Sequence, residues 1–221
     1  MNEEPTVEAN GGPGGETPPV SAGQKMDEGL RFYSEYVFRP FLWPFTRLGI
    51  SPNMLTCVGV ALAIASGYFL AVERVPLAAV FFTMSGIMDL VDGYVAKKLD
   101  RVTAYGSFLD SFSDRVSDAA IYLGLMVYYL ERGEGVYVGM ALVLLVTSFL
   151  ISYVRAKAEG FGLTCKAGLM ARGPRFLALG FGLFFNGLSP CILRIVLWVV
   201  AVLLLETLIE RLVEVWRALR E

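Results

Sequence analysis

The sequence predicts an all-α integral membrane protein, with six transmembrane helices preceded by an interfacial amphipathic helix. Three observations lead there. Apolar residues make up 55% of the 221, and mean hydropathy is clearly positive, which suits one compact bundle of spans rather than a soluble core. Apolar segments long enough to cross ~30 Å recur from residue 54 onward. Six such spans also sort the basic residues: sixteen Lys and Arg fall on the side of the termini, and only Arg74, Arg132 and Arg194 on the other. That bias places both termini in the cytoplasm and makes the protein a multi-pass component of the cell membrane.

Residues 1–25 are rich in Gly, Pro and Glu and nearly free of large apolar residues, so they cannot bury enough surface to order themselves. They also lack the basic start and apolar core of a signal peptide, and read as a disordered cytosolic tail. Residues 26–48 mix aromatics with Arg31, Arg39 and Arg47, a composition suited to the headgroup region, and Pro40 and Pro44 should end this interfacial helix. Residues 49–221 form the membrane domain. Ser51-Pro52-Asn53 opens the first span, where Ser or Asn can cap a helix, and Met54–Val72 crosses. The other spans run from Pro76 to about Lys97, Ser107 to Leu130, Val136 to Ala158, Arg172 to Phe185 and Pro190 to Leu212.

A net charge of −2 argues neither for nor against nucleic acid, and none is expected as a partner. Cys57, Cys165 and Cys191 lack metal or CxxC spacing and read as packing residues. The chain has no histidine, so any general base must be a carboxylate or another side chain.

The most informative stretch is DLVDGYVAKKLDRVTAYGSFLDSFSD, from Asp89 to Asp114. Asp89 and Asp92 are spaced i, i+3 and Asp110 and Asp114 i, i+4, so on helices each pair projects from one face. If the first pair closes one helix and the second opens the next, a tight return brings all four together. Clustered carboxylates repel and need cations between them. With oxygen ligands only, Mg2+ is expected, or Mn2+, rather than zinc. Gly93 and Gly106 leave the backbone open to a bulky ligand, and Lys97 offers a cation to a phosphate. The plainer reading is a polar loop with solvated acids, but ionisable residues at membrane depth are costly and usually functional.

Asp92-Gly93-x2-Ala96-Lys97-x8-Gly106-x3-Asp110-x3-Asp114, with Asp89 three residues upstream, resembles the signature of the CDP-alcohol phosphotransferases. The family normally has Arg at the position of Lys97, a change that keeps the charge and loses the bidentate fork. The resemblance covers about residues 50–215. It implies that Asn53 and Thr56 face the cytidine nucleotide, and that Gly93, Lys97 and Thr103 contact the nucleotide and diphosphate of a CDP-linked lipid. It also implies that Asp89, Asp92, Asp110 and Asp114 hold two Mg2+ ions, with Asp114 taking the acceptor's proton. A homodimer is expected, since the family tends to form one.

In SYVRAKAEGFGLTCKAGLMARGPR (residues 152–175), Arg155 and Lys157 lie at the end of the fourth span and Arg172 and Arg175 open the fifth. Four cations beside a metal site suit an anionic co-substrate, most simply a phosphate monoester. The competing reading is snorkelling side chains that anchor helices at the interface. The stretch resembles members of the family that use inositol phosphate as acceptor, the archaetidylinositol phosphate and phosphatidylinositol phosphate synthases. By that resemblance Ser152, Arg155, Lys157, Arg172 and Arg175 hold inositol 1-phosphate. Two features depart from the pattern: Ala171 and Pro174 stand where glutamates often precede the arginines, and Arg211 only loosely matches a further cation late in the last span.

Asp118, one turn after Asp114, and Asp100 lie outside the signature, the first reading as a buried hydrogen-bonding group and the second as a solvated loop residue. Two rivals stay open. Glycerol 3-phosphate as acceptor would keep the chemistry and change only the basic pocket, while an ion-coupled transporter would share the spans and intramembrane acids. The lipid, archaeol or diacylglycerol, differs in the part farthest from these polar residues.

Overall fold

The structure, a computed structural model, describes residues 51–99, 103–163 and 172–220. The tail expected over 1–25 and the interfacial helix expected over 26–48 lie outside the described residues. Every described element is a helix: α1 (Pro52–Ala71), α2 (Val75–Lys98), α3 (Ala104–Glu131), α4 (Gly135–Gly160), α5 (Arg172–Phe185) and α6 (Pro190–Ala218). Four of them, α1, α2, α4 and α6, are long and apolar enough to cross a membrane. The polar first half of α3, with Asp110, Asp114, Arg115 and Asp118, dilutes its hydropathy. The 14 residues of α5 reach only about 21 Å at 1.5 Å per residue.

Local sequence explains the boundaries. Proline occupies the first turn of α1, α2 and α6, where its missing N–H is not needed. Thr103 caps α3 by accepting from the Gly106 N–H at 2.9 Å, and Ser189 caps α6 through the Cys191 N–H at 3.3 Å. Ser51 occupies the N-cap position of α1 in extended conformation but makes no side-chain cap bond. The α1–α2 turn places Glu73 at φ 60°, and the α3–α4 turn uses Gly133 at φ 69°, where glycine is the natural residue.

Each helix packs on two others, and the neighbours close a ring in the order α1, α2, α5, α6, α4, α3 and back to α1. Its interior is filled by side chains from every helix, among them Leu70, Phe82, Tyr122, Leu144, Leu183 and Leu197. Small residues allow the closest approaches. A Cβ on Gly67 of α1 would strike the Ala120 carbonyl of α3, and one on Gly124 of α3 would strike the Gly67 backbone. Phe82 of α2 stacks on Phe176 of α5 with ring centroids 4.1 Å apart, over Gly86. Outward faces carry Ile64, Val80, Leu123, Phe181 and Trp198, all exposed, as a helix bundle bathed in lipid requires.

α2 and α3, which carry the acidic signature, do not pack on each other; both lie against α1. The end of the bundle where α2 finishes and α3 begins therefore holds a three-helix cluster with α1 as its middle member.

Candidate active site

Single carboxylate oxygens of Asp89, Asp92 and Asp110 all lie within 4.8 Å of one another. Asp92 is buried and its Oδ2 accepts from the Thr56 hydroxyl at 2.6 Å, which ties α2 to α1. Asp114 joins the cluster through Arg172. The Nη1 of Arg172 donates to Asp89 Oδ2 at 2.7 Å and lies 2.6 Å from Asp114 Oδ1. The second contact is an ion pair by distance, without hydrogen-bond alignment, so Asp114 Oδ1 remains a buried acceptor with no hydrogen-bond partner among the described residues. An oxygen-only donor set this tight, with an orphaned carboxylate oxygen beside it, fits Mg2+ or Mn2+. One arginine cannot balance four carboxylates, and like charges at this range repel strongly away from water.

The nucleotide-side residues gather around the same end. A Cβ on Gly106 would lie 3.1 Å from Thr103 Oγ1 and 3.5 Å from Asn53 Oδ1, so Asn53, Thr103 and Gly106 are neighbours. Around Gly93 a Cβ would meet nothing within 4 Å, leaving open space beside Asp92. Lys97 is exposed in the last turn of α2.

The acceptor-side residues divide into two groups. Arg172 and Arg175 reach into the ring from α5, whereas Arg155 pairs with Glu159 on its own helix at 2.8 Å and the Lys157 ammonium sits 5.0 Å from the Phe161 ring centroid. Ser152 is half-buried on α4. Arg211 is buried, and its Nη1 donates to the Ile151 carbonyl at 3.3 Å, beside Ser152. Beneath the carboxylates, a small cavity is lined by polar groups that include Ser85, Ser117, Asp118, Tyr122, Arg172 and Arg175. Ser148 and Tyr122 escaped the sequence reading. Tyr122 could have been found, because Asp110, Asp114, Asp118 and Tyr122 repeat every fourth residue on one face of α3.

Residues 49–206 match the sequence model of the CDP-alcohol phosphatidyltransferases. The chain belongs to that family. It is therefore an enzyme, a transferase of phospholipid synthesis, and its acidic cluster is the kind that binds metal in this family. This CDP-alcohol phosphatidyltransferase is 34% identical over 209 residues to the phosphatidylinositol phosphate synthase of Streptomyces avermitilis, covering 90% of this chain and 86% of the other. It is 32% identical over 188 residues to the archaetidylinositol phosphate synthase of Methanothermobacter thermautotrophicus, with 83% and 93% covered. The crystal structure of the Mycobacterium tuberculosis phosphatidylinositol phosphate synthase with CDP-DAG bound superposes with a TM-score of 0.74 at 28% identity, covering 80% of this chain and 92% of that one. The same synthase in complex with manganese and citrate gives 0.72.

Proposed function

We propose that the protein transfers the phosphatidyl or archaetidyl group of a CDP-linked lipid to L-myo-inositol 1-phosphate, releasing CMP. The observation that carries this reading is the Arg172 guanidinium among the carboxylates, 2.7 Å from Asp89 and 2.6 Å from Asp114. A phosphate held by Arg172 would sit next to the diphosphate site. The relatives named for inositol phosphate synthesis support the choice of acceptor.

In this reading Asp89, Asp92, Asp110 and Asp114 hold two Mg2+ ions, which when bound neutralise charge on the diphosphate and on the departing CMP. Asn53, Thr56, Gly93, Lys97 and Thr103 bind the nucleotide and diphosphate, Gly93 by leaving room and Lys97 by its charge. Ser152, Arg155, Lys157, Arg172 and Arg175 orient the acceptor through its phosphate. As an inositol hydroxyl oxygen bonds to the lipid-bearing phosphorus, Asp114 takes its proton, and CMP leaves with the electrons of the broken P–O bond. No covalent enzyme intermediate is needed. The bundle spans the membrane, with the site facing the cytoplasm. The functional unit is a homodimer.

The test is CMP release from CDP-diacylglycerol or CDP-archaeol by purified protein with Mg2+, comparing inositol 1-phosphate, inositol and glycerol 3-phosphate. Release that requires inositol 1-phosphate and disappears in Asp114→Asn is the expected result. Release with glycerol 3-phosphate alone overturns the acceptor.

A further inference from the structure

α3 and α5 are not neighbours in the ring, yet two arginines of α5 cross its interior to acids of α3. The upper crossing, Arg172 to Asp114, belongs to the site. The lower is Arg175 Nη2 to Asp118 Oδ2 at 2.5 Å, and the signature does not include Asp118. The same Asp118 oxygen accepts from the Ser148 hydroxyl of α4 at 2.7 Å. One carboxylate oxygen therefore fixes a guanidinium from α5 and is itself fixed from α4. Arg175 is buried, 6% exposed, and it lines the cavity beneath the carboxylates together with Asp118 and Tyr122.

We propose that Asp118, seated by Ser148, is a positioning residue that holds Arg175 at the floor of the acceptor pocket and so sets how tightly a phosphorylated acceptor binds. The inference rests on the acceptor reading given above. A buried guanidinium has five N–H donors on a long, flexible stem, and Asp118 takes up one Nη. With that anchor the remaining donors are presented in a fixed direction. Without it the side chain keeps its charge, loses its place, and seeks another carboxylate. Asp114 is one turn away on the same face of α3, so a released Arg175 would compete for an aspartate of the site. Asp118 thus acts twice through Arg175, holding it where a phosphate can use it and keeping it away from Asp114.

The experiment measures CMP release by the full-length protein in detergent–lipid micelles with Mg2+, titrating inositol 1-phosphate and CDP-lipid separately. Asp118→Asn should raise the KM for inositol 1-phosphate at least 10-fold and leave the KM for CDP-lipid within 2-fold, and Asp118→Glu should recover part of the loss. In an Arg175→Gln background Asp118→Asn should add nothing, a non-additivity that general loosening of the bundle would not produce. An unchanged KM for inositol 1-phosphate overturns the proposal. So does a lowered KM, the result of merely removing a negative charge near an anion. Both outcomes leave the acceptor reading standing, because wild type still uses inositol 1-phosphate. If wild type releases no CMP with inositol 1-phosphate but does with glycerol 3-phosphate, the acceptor reading falls and takes this proposal with it. Should Asp118→Asn not fold, Ser148→Ala, which removes one donor and keeps the charge, should raise the same KM about 2- to 3-fold. No change there overturns the proposal equally.

Discussion

Thr56 spends its hydroxyl proton on Asp92 at 2.6 Å while its oxygen also lies 3.1 Å from the Pro52 carbonyl, so its rotamer is held from two sides. A carboxylate held this way is fixed in orientation within the cluster. Outer partners of metal-binding carboxylates typically matter about 10- to 100-fold in metal affinity. Thr56→Val, which keeps the shape and removes the donor, should therefore weaken Mn2+ binding by about 10-fold or more. Titration followed by the Mn2+ paramagnetic resonance signal checks this without any turnover. Gly93 makes a second residue-scale case. A Cβ there meets nothing, and a helix-interior Gly→Ala change stabilises by roughly 0.5–1 kcal/mol. Gly93→Ala is expected to melt slightly higher than wild type and to release CMP more slowly, because the methyl fills space that the diphosphate uses. A variant that is both more stable and fully active would remove Gly93 from the site.

Among elements, the α1–α3 crossing brings main chain against main chain. Gly67 faces the Ala120 carbonyl and Gly124 the Gly67 backbone, and a methyl at either position would overlap main-chain atoms that cannot swing aside. Gly67→Ala should destabilise by about 1–3 kcal/mol, read as a lowered melting temperature in detergent. The separation of α2 from α3 has the opposite sign of effect. Because they do not pack on each other and are linked only through α1 and the Arg172 bridge, divalent ions bound by Asp89, Asp92 and Asp110 would add a direct tie between them. Saturating Mn2+ should raise the melting temperature, by the equivalent of about 2.7 kcal/mol at one hundred times its Kd. Asp89→Asn should abolish most of that rise. The elements themselves were largely legible in the sequence. Apolar runs bounded by Pro, Gly and Ser place all six helix starts within three residues, and the fifth helix end to end. Which helix lies beside which was not legible, since periodicity shows that a face is apolar but not what covers it. The same limit hid the pairing of Arg172 with Asp89 and Asp114, and that of Ser148 with Asp118. Each joins residues far apart in sequence, and only the ring order brings them together.

At the scale of the whole molecule, the two ends of the bundle handle charge differently. At the end away from the aspartates, Arg132 pairs with Glu73 at 3.1 Å and Arg194 with Glu134 at 2.5 Å. Two of the three basic residues that the sequence assigns to that side are thus paired with acidic partners, whereas Lys97 and Lys98 at the other end form no ion pair among the described residues. In a background with all three cysteines replaced by serine, a cysteine at Gly133 should react with an impermeant maleimide on intact cells. One at Lys98 should react only after permeabilisation. The reverse pattern would invert the proposed orientation.

The ring order also bears on how the protein is made. Chain order and spatial order part company after α2, whose second neighbour is α5 rather than α3. When α1, α2 and α3 have left the ribosome, every aspartate of the site is already present, and no arginine of α5 yet exists to face them. The nascent half-bundle carries its acids without the Arg172 contacts until α5 is inserted beside α2, and the circle shuts only when α6 follows. The contacts of Arg172 with Asp89 and Asp114 are therefore a late event of biogenesis, set by the arrival of the shortest of the described helices.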